Sequence, residues 1–228
     1  MNGTLYGVGV GPGDPKLMTY LAVEKIRESQ VIAVPDSGSE NAVSLRIASG
    51  MIPDLDQKEC LSLHTPMTKD KAVLEANYRT AAEKIIEKLQ EGKDVAYLTL
   101  GDPTIYSTYI YIHRMVRELG YEAEIINGIP SFCLAAAKLG DSLADRSEQI
   151  HILPSTYDIE QELELPGTKI LMKAASKIGD VKKTLQEKEL EGTMIENCGM
   201  SDEHIYESVE EIPEKASYYS LVVVKDGR

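Results

Sequence analysis

Short apolar runs alternate with helix-length segments through the first half of the chain. The runs cover residues 5–10, 31–34, 95–98 and 122–126. Between residues 70 and 90, apolar side chains recur every three or four positions, which is the period of an amphipathic helix. The same reasoning predicts helices at 17–28 and 105–119. Helices that link short apolar strands predict a parallel sheet covered on both faces, and hence an α/β fold.

The second half of the chain keeps this alternation but ends differently. A helix is predicted at 131–139, and the apolar runs that follow cover residues 150–153, 170–172, 194–196 and 218–225. The segment from 202 to 215 leaves room only for a hairpin-like return, so the last run belongs to a mixed sheet. We therefore predict two α/β domains, residues 1–127 with a parallel sheet and residues 128–228 with a mixed sheet.

The charge of the chain limits its partners. Lys and Arg number 24 against 37 Asp and Glu, a formal net charge of -13, which disfavours nucleic acid and anionic lipid. No apolar stretch approaches the length of a membrane span, and the N-terminus lacks a signal-peptide pattern. The three cysteines are too scattered for a disulfide framework or a zinc ribbon. We expect a soluble cytoplasmic protein with a small-molecule ligand.

Residues 7–14, with the sequence GVGVGPGD, form a glycine loop after the first predicted strand. The spacing does not match the dinucleotide pattern G-x-G-x-x-G, because the third glycine would fall on Pro12 or on Asp14. Pro12 also has no backbone N–H to donate to a phosphate. The loop therefore allows close approach by a ligand without a diphosphate, or it is only a tight turn whose following helix Asp14 caps.

Two more polar turns follow predicted strands. The GDP turn, residues 100–107, places Gly101 and Asp102 after the strand at 95–98, and the NGIP turn, residues 127–132, follows the strand at 122–126. Open α/β sheets bind ligands at the carboxyl ends of their parallel strands. The Asp102 carboxylate can accept a hydrogen bond from an ammonium, hydroxyl or amide group, or it can cap the following helix. The NGIP turn falls at the predicted domain boundary, where small-molecule sites are common.

Other residue types give weaker signals. The four histidines have no spacing that would place two on one helix face, so no protein-bound metal is predicted. Cys133 and Cys198 have no paired histidine motif and are predicted to be buried, unreactive thiols. The chain has no P-loop and no G-x-S-x-G motif, so phosphate-cradling P-loop enzymes and serine hydrolases lack support.

Together, GVGVGPGD at 7–14, LGDPTIYS at 100–107 and GIPSF at 128–132 closely resemble the motifs of the tetrapyrrole methylase family. Three separated motifs in the family's order are far more specific than one glycine loop. The resemblance implies two α/β domains with S-adenosylmethionine in the cleft between them, a porphyrin-like substrate and a homodimer. This chain departs from the family pattern at Asn127, where the family usually has proline before the glycine.

The resemblance also implies which residues hold the cofactor. Matched position by position, they are Pro12, Leu100, Gly101, Asp102, Ile105, Ser131, Phe132, Met172, Asn197 and Cys198. Met172 can also be read as an ordinary core residue. No catalytic residue is assigned, although loss of the ring proton after methylation requires a base, for which Asp14 and His113 are candidates.

Four basic residues lie in or beside the motif segments, where they can bind substrate carboxylates or form ordinary surface ion pairs. They are Lys69, Lys71, Arg79 and Arg114. A polyanionic substrate cannot be attracted by the overall field of a chain at -13. We therefore expect local cations to surround the substrate site.

Finer features resemble the branch of the family that methylates carbon 20 of precorrin-2 or of cobalt-factor II in cobalamin (vitamin B12) biosynthesis. They are the strand end at 34–35, the segment PMTKD at 66–70 and the run TLGDPTIYSTYIYI at 99–112. We therefore expect an S-adenosylmethionine-dependent C-methyltransferase. Two alternatives stay open. One is a methyltransferase of the same fold acting on uroporphyrinogen III, another precorrin or a diphthine-type protein, and the other is a tetrapyrrole-binding module without catalysis.

Overall fold

The computed structural model describes residues 1–36, 40–66, 68, 70–154 and 159–226. The chain divides into two compact units, Met1–Pro130 and Ser131–Arg228. The predicted domains meet after residue 127, three positions before this division, and their roles as separate domains stay a prediction. In the described residues, no helix has the length and apolarity needed to cross a membrane.

The first unit is built on a parallel sheet. Its strands are β1 (Leu5–Gly9), β2 (Val31–Asp36), β3 (Glu59–His64), β4 (Val95–Thr99) and β5 (Ala123–Ile126). Its helices are α1 (Tyr20–Glu28), α2 (Glu40–Met51), α3 (Lys71–Gln90) and α4 (Tyr109–Glu118). The strand order is β3-β2-β4-β1-β5, and every neighbouring pair is parallel. The strands before the three motif loops, β4, β1 and β5, are therefore neighbours, and their carboxyl ends share one edge.

The main core of the first unit lies between the sheet and the helices α3 and α4. It contains Tyr97 of β4, Ile85 and Leu89 of α3 and Ile112 of α4, all with at most 1% of their surface exposed. Burying an aliphatic side chain of this size contributes roughly 1.5–3 kcal/mol. This packing confirms the amphipathic helix predicted at 70–90. It also stabilises the sheet from whose strand ends the motif loops extend.

The helix predicted at 17–28 begins later in the structure. Asp14 caps a short 3-10 turn at Pro15–Leu17 by accepting a hydrogen bond from Lys16 N at 2.9 Å. The helix α1 then starts at Tyr20, because Thr19 caps it by accepting from Ala22 N at 3.2 Å. Asp14 therefore caps a turn, as its position suggested, but the helix itself has a separate cap.

The helix predicted at 105–119 also begins later, at Tyr109. Tyr106 has a left-handed φ of 48°, which a helix does not allow. Ser107 Oγ accepts a hydrogen bond from Tyr109 N at 3.1 Å and satisfies one free N–H of the helix start. The GDP turn is thus longer than predicted.

The sequence prediction did not include α2 or β3. The strand β3 lies at the edge of the sheet, and among its six residues only Leu63 is buried. An edge strand with one buried side chain has no apolar run to reveal it. The prediction therefore placed three strands of the first sheet before β5, where the structure has four.

The second unit is built on a mixed sheet. Its strands are β6 (Ile150–Pro154), β7 (Thr168–Met172), β8 (Gly192–Glu196), β9 (His204–Tyr206) and β10 (Ser220–Val224). Its helices are α5 (Ser131–Leu139), α6 (Ile159–Glu162) and α7 (Ile178–Glu187). The order is β6-β7-β10-β8-β9, in which β6 and β7 are parallel and the other pairs are antiparallel. The last strand lies in the centre of this sheet, and all five of its residues are buried, which explains its apolar sequence.

One lysine is buried in the second sheet. Lys169 of β7 is 0% exposed, and its ammonium group pairs with the Asp226 carboxylate. The same carboxylate accepts a hydrogen bond from Gly167 N. Because Asp226 follows β10 and Gly167 precedes β7, this contact ties the two central strands together at one end.

Candidate functional site

The glycine loop, the GDP turn and the NGIP turn meet at the carboxyl edge of the first sheet. Gly11 and Gly101 form a two-way backbone bridge, with Gly101 N to Gly11 O at 2.8 Å and Gly11 N to Gly101 O at 3.3 Å. Val10 N donates to Thr99 O at 2.9 Å and extends the contact between β1 and β4. The structure therefore brings together the motifs that the sequence shows as separate segments.

Glycine is required where the loops cross. A Cβ atom on Gly128 would lie 2.1 Å from Gly101 O, and one on Gly9 would lie 2.6 Å from both Gly101 O and Gly128 N. All of these neighbours are backbone atoms, so no side-chain rotation could relieve the clash. Much of the glycine content therefore serves the packing of loop against loop.

Gly101 has the opposite environment. Its φ is 70°, and a Cβ built on it would have no described atom within 4 Å. Gly101 is itself buried, and its N–H and C=O bond to Gly11, but the position that a side chain would take is open space at the end of β4, as the close approach of a ligand requires. The predicted ligand residues Leu100 and Ile105 of the same turn are half-buried, and Pro12 is buried next to Gly11.

The Asp102 side chain faces the protein. One carboxylate oxygen accepts from the backbone N and the hydroxyl of Thr104, and the other accepts from Asn127 Nδ2 and Gly128 N, both at 3.0 Å. Burial raises the pKa of Asp102, but the hydrogen bonds from Thr104, Asn127 and Gly128 outweigh burial and leave the pKa below its ordinary value. The carboxylate is therefore an ionised acceptor surrounded by neutral donors.

Asn127 contributes two bonds to this arrangement. Its side-chain amide donates to Asp102, and its backbone carbonyl accepts from Thr19 Oγ1 at 3.2 Å. Thr19 is also the cap of α1, the helix that follows the glycine loop. The residue at which this chain departs from the family pattern is thus bonded to both neighbouring motif segments.

In the second unit, Met172 and Asn197 lie at the same end of the sheet. Met172 ends β7 and is paired with Leu221 of β10, and Glu196, the residue before Asn197, is paired with Ser220 of β10. Met172 is half-buried. Ser131 and Phe132 start α5, where Phe132 is buried and Ser131 is half-buried.

Asn197 is internally bonded, as Asp102 is. Its side-chain oxygen accepts from Ser217 Oγ at 2.7 Å and its amide donates to Asp202 at 2.9 Å. Its φ of 53° is left-handed, a conformation that asparagine tolerates better than most residues. The side chain therefore stabilises a sharp turn after β8.

The two cysteines differ. Cys198 is buried, as predicted, and burial and Glu203 raise its pKa to about 12; that its thiol is unreactive stays a prediction. Cys133 was predicted to be buried as well, and this is wrong, because it lies on an exposed position of α5. The pattern around Cys133 did not show which side of the short helix faces the core.

The candidate bases do not form a catalytic arrangement. Tyr109 OH donates to Glu124 O at 2.8 Å, so its contact of 3.0 Å with His113 Nδ1 requires the proton to be on that nitrogen. Burial, with Arg117 and Arg114, lowers the pKa of His113. His113 thus packs as a neutral side chain beside β5, while Asp14 caps its turn. Among the described residues, no three His, Cys, Asp or Glu side chains are grouped as a metal site would need.

Three of the four predicted substrate cations lie on exposed helix positions. Lys71, Arg79 and Arg114 are exposed, and none of them takes part in an ion pair in the described part of the chain. Lys69 and Met67 of the PMTKD segment lie outside the described residues. Sequence reasoning missed the stacked pair of Tyr78 and Tyr111, whose ring centroids are 5.1 Å apart with a 6° angle between the rings. The only sequence signal was the periodic position of Tyr78 on α3.

The fold and the joined loops define a class of protein, an α/β protein with two sheets and glycine-rich loops joined at the carboxyl edge of the first. The chain belongs to the tetrapyrrole (corrin/porphyrin) methylase family, whose sequence model matches residues 4–213. A solved structure of uroporphyrin-III C-methyl transferase from Thermus thermophilus, complexed with S-adenosyl homocysteine, has a TM-score of 0.71 and 18% identity. The match covers 98% of each chain, and it shows the fold that was predicted.

Two relatives have similar sequences. A Methanocaldococcus jannaschii protein named "Probable cobalt-precorrin-2 C(20)-methyltransferase" is 41% identical over 170 residues, which cover 74% of this chain and 71% of that protein. The cobalamin biosynthesis protein CobIJ of Mycobacterium tuberculosis is 27% identical over 238 residues. That match covers 99% of this chain but 46% of CobIJ, so the chain spans about half the length of that relative.

Proposed function

We propose that this protein is an S-adenosylmethionine-dependent C-methyltransferase that acts on carbon 20 of precorrin-2 or cobalt-factor II in cobalamin biosynthesis. Membership of the tetrapyrrole methylase family supports methyl transfer to a tetrapyrrole. The name of the Methanocaldococcus jannaschii relative supports carbon 20 as the position methylated. The observation that carries the proposal is the junction of the three motif loops at one sheet edge, next to the open space at the side-chain position of Gly101.

The residues at this edge fit the cofactor. The space that a Cβ on Gly101 would fill is free of described atoms; in our proposal this space is the cradle for the cofactor, and it is lined by Pro12, Leu100, Asp102 and Ile105. From the second unit, the proposed cofactor residues are Ser131, Phe132, Met172, Asn197 and Cys198. S-adenosylmethionine supplies an electrophilic methyl group when bound. The protein's part is then to hold the ring carbon in line with that group and to exclude water.

Local charge supports an anionic ring as the substrate. The chain has a net charge of -13, so its overall field repels a polycarboxylate. Lys71, Arg79 and Arg114 are exposed cations without carboxylate partners among the described residues, so they are available to bind the acid arms of the ring. The stacked pair of the half-buried Tyr78 and the exposed Tyr111 lies on the same two helices and offers flat apolar surface. In the proposal these groups contact the substrate.

Two finer points belong to the same proposal. A homodimer is expected from the family resemblance, and measuring the mass of the protein in solution tests this oligomeric state. A cytoplasmic location is supported by the three free thiols of Cys60, Cys133 and Cys198, which a reducing compartment maintains.

Methyl transfer from labelled S-adenosylmethionine tests the function. The protein is incubated with precorrin-2 or with cobalt-factor II, and both the label and the absorption spectrum of the ring are followed. One methyl group on carbon 20 supports the proposal. Transfer only to uroporphyrinogen III, another precorrin or a translation factor contradicts the substrate. A spectral shift without label transfer instead indicates a tetrapyrrole-binding module, and competition between the metal-free and cobalt rings identifies the preferred form.

A further inference from the structure

The Asp102 carboxylate has no acceptor position left for a ligand. A carboxylate has about four lone-pair sites, and each oxygen of Asp102 already accepts from two protein donors. Only 6% of the residue is exposed. A cofactor group that bonded to this side chain would therefore have to displace Thr104, Asn127 or Gly128.

The donors come from two different loops. Thr104 belongs to the GDP turn itself, whereas Asn127 and Gly128 belong to the NGIP turn, 25 and 26 residues further along the chain. The carboxylate therefore closes the GDP turn on one side and joins it to the neighbouring turn on the other. The backbone N–H of Asp102, in contrast, has no acceptor among the described residues.

We propose that Asp102 is a positioning residue, with Asn127 as its specific partner. The carboxylate holds the GDP and NGIP turns together, and Asp102 faces the cofactor through its backbone N–H instead of through its side chain. This inference rests on the proposed function for the identity of the cofactor. It changes the role expected for Asp102 and assigns a role to Asn127, which was not among the predicted site residues.

Asn127 supplies what proline at this position could not. Proline has no side-chain amide, so the bond from Nδ2 to Asp102 is a property of this chain. The carbonyl of Asn127 also accepts from Thr19, the cap of α1. One residue therefore links the helix after the glycine loop to the carboxylate of the GDP turn.

Single variants separate the two roles of Asp102. The measurements are the Kd for S-adenosylhomocysteine, by calorimetry, and the thermal midpoint of the protein without ligand. We expect Asn127→Ala to raise the Kd about tenfold, since it removes one hydrogen bond to a charged group, and to lower the midpoint by about 4 °C. Asp102→Asn, which turns one acceptor into a donor facing other donors, should raise the Kd about a hundredfold. Asn77→Ala, which removes an amide-to-carbonyl bond on α3, is the matched control and should leave the Kd unchanged.

Coupling between the two positions gives the decisive readout. The double variant Asp102→Asn/Asn127→Ala should bind at least about threefold more tightly than the product of the single effects predicts. The proposal would be overturned by three results together: a Kd within about twofold of wild type for Asn127→Ala, a hundredfold loss of affinity for Asp102→Asn, and no coupling between the two. They would mean that the cofactor contacts the Asp102 carboxylate directly.

Asn127→Asp adds a readout that misfolding would not reproduce. It places a second carboxylate against Asp102, and both are ionised near about pH 8. Lowering the pH to about 5.5 protonates one of them and restores a donor, so the Kd relative to wild type at the same pH should recover. No recovery contradicts the proposal. If wild type binds no S-adenosylhomocysteine, the proposed function fails. The thermal midpoints of the single and double variants at Asp102 and Asn127 still test whether the two side chains hold the GDP and NGIP turns together.

Discussion

In each unit, a polar side chain shortly after a strand holds the following turn by hydrogen bonds, but the two side chains differ in chemistry. In the first, the Asp102 carboxylate accepts from four neutral donors of two loops. In the second, the neutral Asn197 amide bonds Ser217 and Asp202 in a left-handed turn. Both polar side chains are used inside the protein, so neither motif residue has to be a side-chain ligand. The difference is that the central side chain of the first junction is an ionised carboxylate, whereas that of the second is a neutral amide.

The largest effect is expected from Gly128→Ala. The new methyl group would meet Gly101 O at 2.1 Å and the Gly9 carbonyl at 2.8 Å, and relief requires the turns to move apart. Forced overpacking of this kind lowers the free energy of unfolding by about 3 kcal/mol. Urea unfolding measures the loss, with Gly120→Ala as the control: its Cβ would meet no described atom within 4 Å, and its φ of 87° alone costs about 1 kcal/mol. Equal stability of the two variants would contradict the packing role of Gly128.

The second unit is expected to respond most to loss of Asp226. Asp226→Ala leaves the Lys169 ammonium buried without its partner, and removing one member of a buried pair costs about 3–5 kcal/mol. Because half of Asp226 is exposed, we expect a smaller loss of about 2 kcal/mol. Lys169→Met removes the buried charge itself, so it should destabilise the protein less than Asp226→Ala does. The reverse order in urea unfolding would show that the pair is not what holds β7 and β10 together.

The same pair gives a pH dependence with a defined sign. The hydrogen bond from Lys169, and then that from Gly167 N, lowers the pKa of Asp226 in the folded protein. Its contribution to stability is therefore complete above the unfolded pKa of about 3.9 and is lost as the pH falls through the lower folded value. The difference in unfolding free energy between wild type and Asp226→Asn should shrink below about pH 4. A difference that grows there would mean that the assigned direction is wrong.

The sequence predicted elements whose side chains carry a strong period. The sequence predicted the helices α3 and α5 and the buried strand β10, because the residues that these elements bury are apolar and recur at regular spacing. The edge strand β3 was missed because most of it is exposed. The starts of α1 and α4 were placed too early, since the caps at Thr19 and Ser107 are local hydrogen bonds that apolar periodicity does not record.

The place of the candidate site was predictable, but its bonding was not. Strand ends and glycine spacing pointed to the GDP turn, and the structure brings the three loops together there. The partner of Asp102 is 25 residues away in the sequence, and no local pattern shows which acceptors are already occupied. The same holds for the Tyr78–Tyr111 stack, which joins two helices.

Gly101→Ala separates stability from binding. The variant places alanine at a φ of 70°, which costs about 1 kcal/mol of unfolding free energy, but its methyl group enters open space and meets no described atom. We expect the Kd for S-adenosylhomocysteine to rise by about a hundredfold, because the methyl group fills the proposed cradle. Binding as tight as wild type, at the same modest loss of stability, would mean that the cofactor does not approach this backbone.

The smallest expected effect concerns the thiol beside Asn197. Burial, with Glu203, raises the pKa of Cys198 to about 12, so very little of this thiol is ionised at about pH 8. Cys60 and Cys133 are exposed, and mass spectrometry after iodoacetamide treatment should show these two thiols labelled and Cys198 unlabelled until the protein is unfolded. Asn197→Ala removes the bonds to Ser217 and Asp202 and should speed labelling of Cys198, whereas Cys60 should react at an unchanged rate. Unchanged protection of Cys198 would mean that the turn after β8 is held by its backbone alone. The second unit would then depend on the side chain of Asn197 less than the first unit depends on that of Asp102.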